Sequence, residues 1–524
     1  MVLEEKIITL LVVAAIVAIL AHRWKLPYTV ALVVTGLVLG ALEVEPGLHL
    51  SRELVFAVFL PALLFEAAFH LDISRFRRNA GPILVLAVIG VAFSIVITGA
   101  LTWVGLSRVL GVEGLGVLSA LLFGALISAT DPISVMAVFK KLGVPARLNL
   151  VVEGESLFND GTAVVIFTLI LAAVGASGHE AATQDVGILW AVQEFIKEVF
   201  GGLAVGLVLG LAVSYLTAQV EDHLIEILLT TVLAYGVYLI SEHLHVSGVI
   251  GVVAAGMMSG NYGGRVGMSP STKMAVVTFW EYAAFVVNSI IFLLIGMDVN
   301  LPMLKAHAWH IAVAWVSVTL ARAVAVNLLF PVINRFFNGL PWKWSPVMVW
   351  GGLRGSISMA LAMSLPLDLP YRETILAMTF GVVIISILGQ ALTMRPLLNL
   401  LGIVGEGGKE EYGKARADLK ATRSALDDLE ELKREGAVSA GVYEKLEKEL
   451  KDRLSGISDR IAELHESDKK LHEEEYRAVR KRLLLAEKES LRESFQIGTI
   501  SDDDLKELVR VIDAEYYRLE EEDA

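Results

Sequence analysis

The chain has 524 residues, 55% hydrophobic and only 19% charged, with mean hydropathy +0.63; a soluble domain carries roughly 25% charged residues, so an ordinary soluble fold is excluded. The charge is unevenly shared, with 21 Lys and Arg against 24 Asp and Glu in residues 1–400 and 23 against 33 in 401–524, so the second part carries −10 of the total −13 and has no reason to bind nucleic acid or anionic lipid. Cysteine is absent, which excludes disulfides, thiolate catalysis and Cys-ligated metals.

The first apolar run, Ile7 to Ala21, follows Glu4 and Glu5 rather than a basic segment and shows no cleavage site. It reads as a retained helix rather than a signal peptide. Runs able to cross a hydrocarbon core of about 30 Å centre near residues 14, 35, 60, 92, 125, 165, 205, 232, 254, 288, 318, 355 and 383. The expected fold is therefore all-α and polytopic, with about thirteen transmembrane helices over residues 1–400. Lys and Arg in the connecting segments split twelve to five between the two sides. The positive-inside bias puts the N-terminus outside and the C-terminus in the cytoplasm.

Thirteen spans divide as six, a linker and six, and the fifth of each six is interrupted. Ala129-Thr130-Asp131-Pro132 breaks the first, and Gly351-Gly352-Leu353-Arg354-Gly355 the second. Matching interruptions in two halves point to a transporter site between inverted repeats. The linker carries Gly202, Gly206 and Gly210, a small-residue stripe read as a packing face. Beyond the membrane part, residues 401–408 read as a glycine-rich linker and 409–524 as a helical tail. Gly436-Ala437-Val438-Ser439 and Gly498-Thr499-Ile500-Ser501 each separate two helical patterns, with Gly as a C-cap and Ser as the next N-cap. That predicts a repeated helical hairpin acting as a regulatory or dimerising module.

Ionisable groups within a bilayer cost about 2.5–3.5 kcal/mol each on insertion scales, so each needs a reason. The set is Glu66, Asp131, Glu155, Asp160, Arg322 and Arg354. Four acids against two bases suit a site that attracts a cation or proton. On the sixth span Ser156 lies one turn before Asp160, and Glu155 one turn before Asn159, so two polar faces lie side by side. Pro132 lacks an N–H, which frees the Ser128 carbonyl. Freed carbonyls, Thr130, Ser156 and the Asp160 carboxylate make an all-oxygen environment that suits an alkali cation and offers no imidazole to a transition metal. Plainer roles fit some of these residues: Asp131 as a half-helix cap, Thr130 and Ser156 bonded back to the main chain, and Glu66 paired with a basic neighbour.

Ala129-Thr130-Asp131-Pro132-Ile133-Ser134-Val135 followed by Glu153-Gly154-Glu155-Ser156-Leu157-Phe158-Asn159-Asp160-Gly161 resembles the paired signature of the NhaP/NHE branch of cation/proton antiporters. Phe59-Leu60-Pro61-Ala62-Leu63-Leu64-Phe65-Glu66 and Gly351-Gly352-Leu353-Arg354-Gly355 resemble the third and twelfth helices of that family. The resemblance implies two inverted six-helix repeats with crossed broken helices, a homodimer in the cell membrane, and no cofactor. It implies that Asp160 alternately holds sodium and a proton. Asn159 is then its partner, bonded to Thr130; Ser156 is a ligand, so that Asp160, Ser156 and Thr130 hold sodium; and Asp131 is the acid at the break. Glu66 becomes a water-mediated member of the site, Glu155 and Arg354 a buried ion pair, and Arg322 a supporting charge. Asn rather than a second Asp before Asp160 implies electroneutral exchange.

The oxygen ligands suit sodium, lithium or potassium, so potassium/proton exchange stands as the alternative. A cation or pH sensor that moves no ions is the reading from another class. The tail's partner is left open between a cytoplasmic regulator and a nucleotide. No Walker loop, intramembrane His-Glu metal motif or Ser/His/Asp set supports an enzyme.

Overall fold

The computed structural model describes the chain except residues 1, 25–26, 43–50, 52, 113, 115, 175–187, 220–221, 268–269, 338, 404–406, 468, 498 and 522–524. All regular secondary structure among the described residues is helical, with no strand among them. They form two compact units, Met1–Ile403 and Val404–Ala524.

The first unit opens with α1 (Val2–Trp24), α2 (Tyr28–Ala41), α3 (Leu54–His70) and α4 (Ile73–Val109). Two half-helices follow, α5 (Val117–Leu126) and α6 (Ile133–Leu142), and then α7 (Ala146–Ala173), α8 (Ile188–Thr217), α9 (His223–His243), α10 (Gly248–Met258) and α11 (Pro270–Met297). The unit closes with α12 (Ala308–Phe336), the half-helices α13 (Ser345–Trp350) and α14 (Ser356–Met363), and α15 (Arg372–Leu400). Seven described helices are long and apolar enough to cross a membrane, and α1, α2, α3 and α5 are shorter apolar helices. Each expected centre falls in a helix except residue 355, which lies at the break between α13 and α14. Helices dominate because a chain in hydrocarbon must satisfy its backbone groups internally.

Close packing of these helices depends on missing side chains. A Cβ on Gly206 would stand 2.1 Å from the Gly251 carbonyl oxygen, and one on Gly202 2.3 Å from that of Ser247. The stripe on α8 is therefore the face against α10. Gly36 and Gly296 bring α2 and α11 together in the same way.

The second unit is two helical hairpins, α16 (Gly407–Arg434) with α17 (Ala440–Ser467), and α18 (Lys469–Gln496) with α19 (Asp502–Glu521). Gly436 ends the first turn at φ +69°, the left-handed conformation favoured after a helix. Gly498, the corresponding expected stop, lies outside the described residues. An arginine–carboxylate bridge ties each hairpin with opposite polarity: Arg453 of α17 reaches Asp418 of α16 at 2.7 Å, and Arg480 of α18 reaches Glu515 of α19 at 2.8 Å. Helix α16 begins inside the segment expected as a linker.

Candidate functional site

The two interrupted segments cross. Residues 127–132 join α5 to α6 and residues 351–355 join α13 to α14, and neither stretch is helical. The Asp131 N–H donates to the Leu353 carbonyl at 2.8 Å. From the other side the Arg354 guanidinium donates to the Ser128 carbonyl at 2.6 Å, the acceptor that Pro132 leaves without its helical donor. Asp131 caps α6, its Oδ1 accepting from the Ile133 N–H at 3.0 Å. Gly355 permits the crossing, since a Cβ there would stand 2.5 Å from that of Asp131.

Helix α7 runs past this crossing and presents Ser156, Asn159 and Asp160 to Thr130. Asn159 Nδ2 donates to Thr130 Oγ1 at 3.0 Å, Thr130 Oγ1 donates to Ser156 Oγ at 3.1 Å, and Ser156 Oγ donates to the Thr130 carbonyl at 2.5 Å. One residue of the break therefore holds two residues of α7 by hydrogen bonds, with Asp160 next to them in sequence. All four are buried, Asp160 with 8% of its surface exposed. Among the described residues, Asp160 Oδ1 and Asn159 Oδ1 are buried without a hydrogen-bond partner. An unpaired buried carboxylate oxygen is costly and calls for a partner.

The structure corrects one pairing. Glu155 was expected against Arg354; instead Arg322 of α12 grips it, Nη1 to Oε1 at 2.8 Å and Nη2 to Oε2 at 2.9 Å. Arg322 also donates to the Met348 carbonyl from Nε and Nη2, so it fastens the half-helix α13 to α7. The physical reason lies in the break: the stranded Ser128 carbonyl takes Arg354, and a fork on the neighbouring helix is free to meet a carboxylate bidentately. The freed carbonyl, expected as an ion ligand, is thereby occupied by a guanidinium.

Glu66 stands apart from the Thr130 cluster. Its carboxylate lies 3.3 Å from His70 Nδ1, and Glu153 and Glu281 are its electrostatic neighbours. His70, Glu153 and Glu281 were absent from the expected set, although the spacing of four between Glu66 and His70, and of seven between Glu153 and Asp160, places each pair on one helical face.

The family described as sodium/hydrogen exchanger, transmembrane, matches residues 9–400. The chain belongs to the sodium/hydrogen exchanger family. Its members are transporters, not enzymes. The chain is 40% identical over 430 residues to the Na(+)/H(+) antiporter ApNhaP of Aphanothece halophytica, covering 81% of this chain and 79% of that one. It is 36% identical to the Na(+)/H(+) antiporter NhaG of Bacillus atrophaeus over 515 residues, 96% and 95% of the two chains, so this similarity continues through the tail. The sodium proton antiporter MjNhaP1 of Methanocaldococcus jannaschii shares the fold, with a TM-score of 0.62 and 23% identity over 76% of this chain and 98% of that one.

Proposed function

We propose that this exchanger moves sodium one way and protons the other across a cell membrane, with Asp160 holding each in turn. The observation that carries the reading is the pair of buried, unpartnered oxygens on Asp160 and Asn159 beside the hydroxyls of Thr130 and Ser156. Sodium is held by Asp160, Ser156 and Thr130; Asn159 is oriented by Thr130 and adds no charge. Glu66 joins through water, and Asp131 keeps the break in register. Lithium is the sodium-like substitute, and potassium the second reading.

The crossing of two half-helix pairs favours thirteen spans arranged as two inverted six-helix repeats around the linker α8. The excess of Lys and Arg in one set of connections places the N-terminus outside and the tail in the cytoplasm. Residues 1–400 are the exchanging domain of a homodimer, and the tail modulates it. Removal of residues 409–524 then leaves exchange intact while shifting its pH dependence or maximal rate; a folded, inserted truncation without exchange would refute that division.

The deciding experiment is proton flux in proteoliposomes driven by sodium, lithium or potassium gradients. Sodium and lithium drive the wild type, and Asp160→Asn of normal thermal stability drives none. Flux with potassium alone moves the assignment to potassium/proton exchange, and robust flux by Asp160→Asn removes the carboxylate from its role.

A further inference from the structure

We propose that His70, set between Glu66 of α3 and Glu281 of α11, is a proton relay, passing protons between solvent and the carboxylates that lead to Asp160. The inference rests on Asp160 as the carrier and adds how protons reach it. His70 is the last residue of α3. Its Nδ1 lies 2.9 Å from the Glu66 main-chain oxygen and 3.3 Å from Glu66 Oε1. Its Nε2 lies 3.7 Å from Glu281 Oε1 on α11. On α7, Glu153 is electrostatically coupled to both Glu66 and His70. Exposure falls along the row, from 60% at Glu281 to 31% at His70 and 26% at Glu66. Glu153 then precedes Asp160 by two helical turns on the same face, about 10 Å of rise.

The chemistry follows from what each ring nitrogen faces. Nδ1 meets two oxygen acceptors, so it carries a hydrogen. In a neutral ring Nε2 is then a lone pair aimed at a carboxylate oxygen, an arrangement that repels until a proton sits on Nε2 or on Glu281. A proton arriving from solvent binds Nε2, the imidazolium releases the Nδ1 proton to Glu66 Oε1, and the ring is left neutral as the other tautomer. The reverse transfer, or rotation of the ring, resets it. One proton enters and one leaves.

Among the described residues, few charged groups surround the histidine. Its own helix supplies Glu66, α7 supplies Glu153 and α11 supplies Glu281. Helix α10 has no ionisable residue. On α9, Glu226 is coupled to Asp222 instead, and Asp72, two residues on, accepts from the Ser74 and Arg75 N–H groups.

The test uses the full-length exchanger in proteoliposomes at saturating sodium. His70→Gln keeps a donor and an acceptor but cannot relay protons. Turnover should fall at alkaline pH, where protons are scarce, by on the order of 10-fold; that is below the ~10²–10⁴ of a positioned acid or base because water carries protons in parallel. The apparent sodium Km should stay unchanged, acidic turnover should stay near wild type, and added imidazole should restore the alkaline rate. Unchanged alkaline turnover, or a deficit in stable protein that imidazole does not restore, overturns the relay. Should His70→Gln fail to fold, Glu281→Gln decides: an alkaline deficit rescued by imidazole supports the relay, and no deficit overturns it. Exchange surviving in Asp160→Asn would sink the carrier assignment instead, a separate outcome.

Discussion

Arg354 donates to the main-chain carbonyl of Ser128 at 2.6 Å, so a side chain from one broken helix fills the hydrogen-bonding gap in the other. The second buried arginine, Arg322, does different work by holding the Glu155 carboxylate with both arms of its fork. The two residues look alike in sequence, each a lone cation in an apolar span, yet one satisfies a dipole and the other a charge.

That difference predicts unequal costs. Arg322→Ala strands a buried carboxylate and should destabilise by about 3–5 kcal/mol. Arg354→Ala strands a carbonyl and should cost about 1–3 kcal/mol. Thermal melting of purified protein with a double-mutant cycle through Glu155→Gln measures both. Strong coupling of Glu155 to Arg322 and weak coupling to Arg354 is the expected pattern; the reverse ranking would return Arg354 to the role of direct partner.

Thr130 is the hinge of the proposed sodium site, since its hydroxyl meets both Ser156 and Asn159. Thr130→Val keeps the shape and removes both bonds, and a combined loss of about 1.4 kcal/mol corresponds to a roughly 10-fold rise in apparent sodium Km. Thr130→Ser should restore most of the affinity. Equal affinity in wild type and Thr130→Val would show that the hydroxyl does not order the ligands.

In the tail, Ser501 and Asp504 cap α19 reciprocally: the Ser501 hydroxyl and N–H donate to Asp504 Oδ2, and the Asp504 N–H donates to Ser501 Oγ. These bonds hold the Asp504 carboxyl below its ordinary value. A lowered carboxylate contributes stability that is present above its unfolded value, about 3.9, and lost as pH falls through the folded one. Ser501→Ala should therefore speed amide exchange in the first turn of α19 at neutral pH, and the difference from wild type should shrink in strong acid. No difference at neutral pH would contradict the cap.

Much of this architecture is legible in the residues themselves. Pro132 and the glycines of 351–355 announce the breaks because they remove a donor and Cβ atoms, which are local effects. The grouping of Asn159, Asp160, Ser156 and Thr130 follows from helical spacing together with the family resemblance. The partner of Glu155 is not legible, because two arginines on different spans compete for it, and the choice depends on which carbonyl the crossing strands. His70 and Glu281 escape for a related reason: nothing local in α3 or α11 says that these helices converge, and a histidine at a helix end is unremarkable until its ring nitrogens are seen between two carboxylates. In the tail the stop at Gly436 and start at Ser439 are local signals, whereas the Arg453–Asp418 and Arg480–Glu515 bridges appear only once the hairpins close.

In the proposed cycle a single carboxylate, Asp160, exchanges one sodium for one proton beside a neutral Asn159. The loaded site then bears the same charge in both directions, and voltage has nothing to act on. The most direct measurement is sodium flux in proteoliposomes under a potassium diffusion potential of either sign, recorded together with net charge movement. Equal rates at both polarities and no net charge are predicted; a rate that follows the voltage, with charge crossing the membrane in each cycle, would contradict the one-for-one scheme.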